Sequence, residues 1–118
     1  MSAHERRRHP RIREGLPLRL TFGESTYDTL IVDLSVSGIH FRIPFELTLM
    51  SRVQIGLDLP AEEEHSAPIA VAGVVVRSDP VPPEGGAGNL YDTAIYFHDC
   101  SEADRSRLGR FISHRLGA

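Results

Sequence analysis

The sequence predicts a mainly β protein, a small six-stranded antiparallel β-barrel followed by a C-terminal α-helix. The first observation is six short segments in which apolar and polar residues alternate, or which are apolar throughout, with turn residues between them. The second is a change of period near residue 101, where apolar residues begin to recur at helical spacing. Short strands joined by tight turns, then one helix, favour an up-and-down barrel with the helix packed against it.

The first three predicted strands are joined by short turns. Their ranges are 16–22, 27–34 and 39–43. The first two alternate around Gly23, Glu24 and Ser25, so they are interpreted as a hairpin. The third begins after Val36-Ser37-Gly38 and stops at Pro44, because proline cannot donate to a strand ladder.

The other three predicted strands and the helix occupy the second half of the chain. Their ranges are 53–59, 69–77, 90–97 and, for the helix, 101–116. Residues 79–89 are rich in proline and glycine and are predicted to form a long exposed loop. Ser101 is the predicted N-cap, with Asp104 as the acidic partner of a weak capping box. Leu108, Phe111 and Ile112 form the apolar stripe that would pack the helix onto the barrel.

Length and composition indicate one folded domain. The chain has 118 residues, enough to bury a core, and no apolar run near the roughly 18 residues of a membrane span. The arginine-rich N-terminus lacks a following apolar segment, which argues against a secretory signal. Cys100 is the single cysteine, so a reducing cytoplasm is expected. We expect a flexible arm at residues 1–13 and a single barrel domain with its helix at 14–118.

Charge is strongly polarised along the chain. Residues 1–13 contain five arginines and one glutamate, a net charge of +4. Residues 14–118 contain eight arginines and fifteen carboxylates, a net charge of −7. The positive end would attract a small polyanion. The alternative interpretation is a solvated, frayed tail, the more common fate of such a run.

The arm contains an RxxxR motif, Arg7 and Arg11. Guanidinium groups are planar forks that suit phosphates and the O6/N7 edge of guanine. Pro10 biases His9 away from helix, so the two arginines need not share a helical face and could wrap around a ligand. Alone the motif is weak, because arginine-rich tails contain it by chance.

A DxSxxG motif joins the second predicted strand to the third. Asp33 and Ser35 should point to the same side if the strand persists, with Leu34 facing inward. Gly38 can take a positive φ, which would let the chain reverse and a ligand approach the backbone on a solvent-facing turn. The alternative is a turn whose Asp and Ser side chains satisfy their own amides. With RxxxR, the motif favours a receptor for an anionic, guanine-containing ligand.

Together the motifs give the chain a resemblance to the PilZ family of cyclic di-GMP receptors. The similarity covers nearly the whole length, through the segments RRRHPR, DLSVSGIHF, AGVVVR, AIYFHD and DRSRLGRFI. In that family RxxxR and [D/N]xSxxG form the ligand-binding signature, and a six-stranded barrel with a terminal helix is the fold. The resemblance implies a sensor or adaptor that changes conformation on binding and relays the signal to an unknown protein partner.

The resemblance also implies roles for individual residues. Arg7 and Arg11 would grip guanine edges and phosphates, Asp33 and Ser35 would bind a guanine's polar edge, and Gly38 would permit backbone contact. The residue before RxxxR is Arg6. In this family arginine there tends to accompany an intercalated dimer of the ligand, so two molecules per chain are expected.

Other functions have less support. His98, Asp99 and Cys100 are adjacent at a strand end and cannot easily converge on one metal ion. The sequence shows no nucleophile–base constellation, paired catalytic carboxylates or phosphate loop, so neither an enzyme nor a cofactor is expected. His40 faces outward near the motif and could touch ligand. One alternative is a protein-interaction module of this fold without physiological nucleotide binding. Another is a nucleic-acid-binding barrel, but the acidic remainder of the chain argues against it.

Overall fold

Six antiparallel strands close into a barrel, followed by one helix, in the part of the chain that the computed structural model describes, residues 10–13, 15–59, 68–82 and 89–117. The elements in chain order are β1 Pro17–Phe22, β2 Ser25–Leu34, β3 Gly38–Ile43, β4 Arg52–Leu57, β5 Ile69–Val81, β6 Leu90–Cys100 and α1 Glu102–Arg115. The predicted fold class, a six-stranded antiparallel barrel with a C-terminal helix, is confirmed.

The strand order corrects the expectation of an up-and-down barrel. Around the barrel the order is β1-β2-β3-β6-β5-β4, so β3 pairs with β6 and β4 returns to pair with β1. Alternation along a strand identifies its buried face but not its neighbours, so both orders agree with the same pattern. The observed order places β3 between β2 and β6, and the turn of DxSxxG therefore lies beside β6.

Alternate residues of the strands fill a single apolar core. Fully buried side chains come from different strands and from the helix, including Leu20, Phe41, Ile95, Leu108 and Phe111. The three residues expected to form the helix's apolar stripe, Leu108, Phe111 and Ile112, are all buried. Burial of such side chains contributes roughly 1.5–3 kcal/mol each, so the core stabilises the barrel on which the motifs lie.

The long hairpin of β5 and β6 extends into the predicted loop. β5 continues to Val81, and Pro80 lies opposite Tyr91 on β6. Proline is tolerated here because the pairing of β5 with β4 ends at Val74, so that past this residue one edge of β5 has no strand neighbour among the described residues. β6 also runs past the predicted end at residue 97, to Cys100. Residues 83–88 lie outside the described part of the chain.

The helix begins as predicted, but half of the expected capping box is absent. The Ser101 hydroxyl accepts a hydrogen bond from the Asp104 amide at 3.1 Å, which confirms Ser101 as the N-cap. The Asp104 carboxylate does not bond back to Ser101. It accepts instead from the Ala70 amide at 3.1 Å and from Arg107 at 3.3 Å. Asp104 therefore ties the first turn of α1 to the start of β5.

Candidate ligand-binding site

A β-bulge on β2 determines where Asp33 points. Ile31 lies opposite Phe41 and Asp33 lies opposite His40, so Val32 is an extra residue in the ladder. The extra residue shifts the alternation by one position. Ile31 and Leu34 therefore both face the core, as expected for Leu34, while Asp33 faces the outer surface.

The two sequence motifs meet at this surface. Ile12 is buried, and it exchanges two backbone hydrogen bonds with Leu34, of 2.9 and 3.0 Å. Beside this bridge, Arg11 Nη1 donates to Asp33 Oδ1 at 2.6 Å, although the two residues are 22 positions apart in sequence. The second arginine of RxxxR therefore contacts the aspartate of DxSxxG. Arg6 and Arg7 lie outside the described residues.

Ile12 docks on the barrel at the C-terminal end of the predicted arm, residues 1–13. The apolar side chain fills a place in the core, and the backbone extends the β2 edge by one bridge. In the sequence Ile12 is the one apolar residue near the arginines of this arm, but a single isoleucine carries no periodic signal that would identify Leu34 as its partner. Residues 1–9 lie outside the described part of the chain, so their predicted flexibility stays a prediction.

Ser35 lies inside the turn, which corrects the expectation of a solvent-facing motif. Its side chain is fully buried, and its hydroxyl accepts from the Ser37 amide at 3.2 Å and lies 3.1 Å from the Ser37 hydroxyl. The Ser35 amide donates to the Gly38 carbonyl at 2.9 Å, which closes the two-residue turn. Val36 is its exposed tip. The hydroxyl thus stabilises the turn, and its contact with ligand stays a prediction.

Gly38 is required for close packing and not for a positive φ. Among the described residues the positive-φ glycines are Gly23 and Gly117, so Gly38 does not use the positive φ that glycine permits. A Cβ at position 38 would lie 2.6 Å from the Ile95 carbonyl oxygen on β6. The absence of a side chain lets β3 and β6 approach each other where the turn joins the barrel.

Strand pairing extends the site to residues that the motifs do not include. His40 on β3 lies opposite Asp33, with Nδ1 3.3 Å from Asp33 Oδ2. Its other ring nitrogen, Nε2, lies 3.0 Å from Asp92 Oδ1 on β6. Arg42 Nε donates to the same Asp92 oxygen at 2.7 Å. We call Arg11, Asp33, His40, Asp92 and Arg42 the charged row.

Asp92 is held ionised by its neighbours in the charged row. Partial burial alone would raise the pKa of Asp92, but the hydrogen bonds from Arg42 and His40, together with the charge of Arg42, outweigh it and lower the pKa. Sequence reasoning missed Asp92 and Arg42 because the acid is 52 residues from His40. The signal that could have found them is the outward alternation of β3, although it does not reveal that β6 is the neighbour.

A groove lies next to the DxSxxG turn, between β6 and α1. It has a volume of about 380 Å³, and its walls include Val36, Ser37, Tyr96, Arg105 and Leu108. The turn that carries the motif therefore forms part of a second surface. A change in the position of the turn would alter the shape of this groove.

The other candidates of the sequence have little geometric support. Within the described ranges no three His, Cys, Asp or Glu side chains are grouped as a metal site would require, His98, Asp99 and Cys100 included. Burial is the main cause that raises the pKa of the Cys100 thiol. No helix in the described part of the chain is long and apolar enough to cross a membrane.

The fold and the site together define a class of small single-barrel domains that present an arginine–aspartate pair on the outer wall, beside a tight hairpin turn. The family model of the PilZ domain matches residues 5–114, and the chain belongs to this family. The resemblance found in the sequence is thereby confirmed. No curated protein matches the chain.

Solved structures agree with the fold. Bacillus subtilis "Inhibitor of motility (MotI/DgrA)" superposes with a TM-score of 0.78 at 20% identity, over 94% of this chain and 51% of that one. The PilZ domain of YcgR from Escherichia coli, solved with c-di-GMP, gives 0.68 at 18% identity, over 94% and 92%. The K. pneumonia MrkH–c-di-GMP complex gives 0.70 at 16% identity, over 92% and 52%. This chain thus spans about half the length of MotI and of MrkH.

Proposed function

We propose that this domain binds cyclic di-GMP and acts as a sensor or adaptor that relays the second-messenger signal to a protein partner. The observation that carries the proposal is the contact of Arg11 with Asp33 at 2.6 Å, which joins the two halves of the family's ligand-binding signature. Two related domains, of YcgR and MrkH, were solved with c-di-GMP. As the receptor of a bacterial second messenger, the domain would act in the cytoplasm.

The described part of the site offers complementary groups for the ligand. Arg11 is about half exposed, and its fork has donors left for a phosphate or for guanine O6 and N7. An ionised carboxylate has about four acceptor positions, so Asp33, bonded to Arg11 and His40, keeps capacity for guanine N–H groups. We propose that Arg7 supplies the second fork, and that Ser35 and Gly38 hold the turn against which the ligand packs.

Calorimetric titration with cyclic di-GMP, with GTP and single-stranded RNA as controls, tests the proposal. A bidentate arginine–guanine contact contributes roughly 1–3 kcal/mol, so Arg7→Ala or Arg11→Ala should weaken binding by about tenfold or more. Asp33→Ala should have a similar effect. Arg13→Ala is the matched control, because Arg13 is an exposed arginine of the same segment that lies outside the motif. Wild-type affinity in both Arg7→Ala and Arg11→Ala would exclude this site.

The number of ligand molecules depends on Arg6. We propose that the ligand binds as an intercalated dimer, because a further arginine before RxxxR offers another fork to the second nucleotide. The expected calorimetric stoichiometry is two per chain, and Arg6→Leu should reduce it toward one. A saturating stoichiometry of one in the wild-type domain would contradict the dimer.

For the relay, we propose that ligand orders the arginine-rich arm and shifts the turn. Val36 and Ser37 belong both to the DxSxxG turn and to the groove against α1, so a shift at the ligand would change a surface that a partner could contact. Amide exchange in residues 4–12 should slow on ligand addition, and exchange at the same rate with and without ligand would argue against the relay.

The alternative function is a protein-interaction module without physiological nucleotide binding. The observation that favours it is the self-contained turn, in which the Ser35 hydroxyl already has partners. The same titration separates the two functions, because the alternative predicts no saturable heat with cyclic di-GMP.

A further inference from the structure

The charged row follows from strand register. Asp33 lies opposite His40, and Arg42 lies opposite Asp92. His40 and Arg42 are two apart on β3 and therefore share its outer face, while Ile39, Phe41 and Ile43 fill the core. The row thus crosses three neighbouring strands with alternating basic and acidic groups.

His40 is placed to fix the orientation of Asp33. Its Nδ1 lies near Oδ2 of Asp33, whereas Arg11 bonds to Oδ1, so each carboxylate oxygen has its own partner. The side chains of His40 and Asp33 are only 19% and 15% exposed, which limits the rotamers that they can adopt. Asp92 contacts the far nitrogen of the ring and is itself fixed by Arg42.

Orientation of Asp33 matters for base recognition. The Watson–Crick edge of guanine presents two adjacent donors, N1–H and the N2 amino group, which match the two oxygens of one carboxylate. Adenine has an acceptor at N1 and cannot make this pair. A site whose polar groups are held for one pattern of donors discriminates strongly against an analogue that lacks it.

We propose that His40 and Asp92 are positioning residues of the ligand site, which hold the Asp33 carboxylate for guanine and thereby set the preference for guanine over adenine. The inference rests on the proposed function. It assigns to the two residues an action through Asp33, and neither needs to touch the ligand.

The test is a double-mutant cycle measured by calorimetry with cyclic di-GMP and cyclic di-AMP. His40→Leu should weaken cyclic di-GMP binding about fivefold to tenfold, and Asp92→Asn about twofold to fivefold, because coupled neighbours interact over this range. Both substitutions should also reduce the preference for cyclic di-GMP, measured as the ratio of its affinity to that of cyclic di-AMP. In an Asp33→Ala background neither substitution should have a further effect. His40→Gln, whose amide can donate to Asp33, should restore part of the loss.

Asp28→Asn is the matched control for Asp92→Asn. Asp28 also pairs with an arginine, through bonds of 2.8 and 3.0 Å from Arg19, but it lies about 17 Å from Asp33 along β2. It should leave both affinities unchanged. Thermal unfolding of each variant verifies the fold, and if His40→Leu does not fold, the cycle of Asp92→Asn with Asp33→Ala decides.

The outcomes distinguish this inference from the proposed function. If Asp33→Ala weakens binding but His40→Leu and Asp92→Asn bind as the wild type, the positioning role is overturned and the proposed function stands. An equal loss from His40→Leu in the Asp33→Ala background would mean direct contact with the ligand, and would also overturn it. If the wild-type domain does not bind cyclic di-GMP at all, both fail together.

Discussion

At the scale of single residues, Asp92 shows how strand pairing brings an isolated acid into a charged cluster. In the sequence it is one of sixteen carboxylates and has no motif around it. In the fold it accepts from two side chains of β3, of which Arg42 is the closer at 2.7 Å. Those contacts lower its pKa despite partial burial.

The lowered pKa of Asp92 predicts a pH dependence of stability. A group whose folded-state pKa is depressed stabilises the fold above its ordinary pKa of about 3.9, and this stabilisation is lost as the pH falls through the folded value. Asp92→Asn should therefore cost about 1 kcal/mol of unfolding free energy between pH 5 and 7. The difference from wild type should shrink below about pH 4.

Urea unfolding of both proteins from pH 3 to 7 measures this difference. Asp79→Asn serves as the control. Asp79 is the residue of β5 paired with Asp92, but its side chain is exposed and does not belong to the charged row. A constant gap across the whole range would mean that Asp92 stabilises the fold by packing and not by its charge.

At the scale of elements, the sequence predicts the positions of the strands well, but it predicts their bulges and the contacts between them poorly. Alternation identified the buried faces of β1, β3 and β4 because one side of each faces a core. The bulge at Val32 could not be predicted, since it depends on the partner strand. The role of Gly38 could not be predicted for the same reason. Its tight contact is with Ile95, which lies on another strand.

The different surroundings of Gly38 and Gly109 predict opposite effects on stability when each is replaced by alanine. Gly38→Ala places a Cβ 2.6 Å from a backbone oxygen of β6, so strands must shift and the domain should lose about 1–3 kcal/mol. Gly109→Ala, within α1, places a Cβ that meets no heavy atom of the described residues within 4 Å, and should gain about 0.5–1 kcal/mol from helix propensity. Chemical denaturation of both variants measures the two changes, and equal destabilisation would contradict this explanation.

At the scale of the whole molecule, the topology decides what the sequence could reveal about the site. RxxxR and DxSxxG were identifiable because each is local, and Ile12 brings Arg11 of the first to Asp33 of the second. His40 was noticed because it adjoins the second motif. Asp92 and Arg42 joined the site through the pairing of β3 with β6, which follows from barrel closure and leaves no trace in periodicity.

Closure of the barrel also predicts how the molecule unfolds. Leu20 is fully buried on β1, which pairs with both β2 and β4 and so completes the ring. Leu20→Ala should cost about 2–5 kcal/mol. Because one core connects all strands, the same loss should appear in the slowest-exchanging amides of β3, β5 and β6, far from the substitution in sequence.

Native-state amide exchange compares this loss strand by strand. Leu30→Ala is the matched control, since Leu30 is a leucine of the neighbouring strand that is 58% exposed, and it should change stability by less than about 0.5 kcal/mol. If β5 and β6 kept their wild-type opening free energy in Leu20→Ala, the long hairpin would be an independent unit. The charged row, which spans β2, β3 and β6, would then cross two units, and ligand binding would have to couple their stabilities. Uniform loss means instead that the row is built on a single cooperative barrel, in which the ligand proposed to bind at Asp33 would stabilise every strand at once.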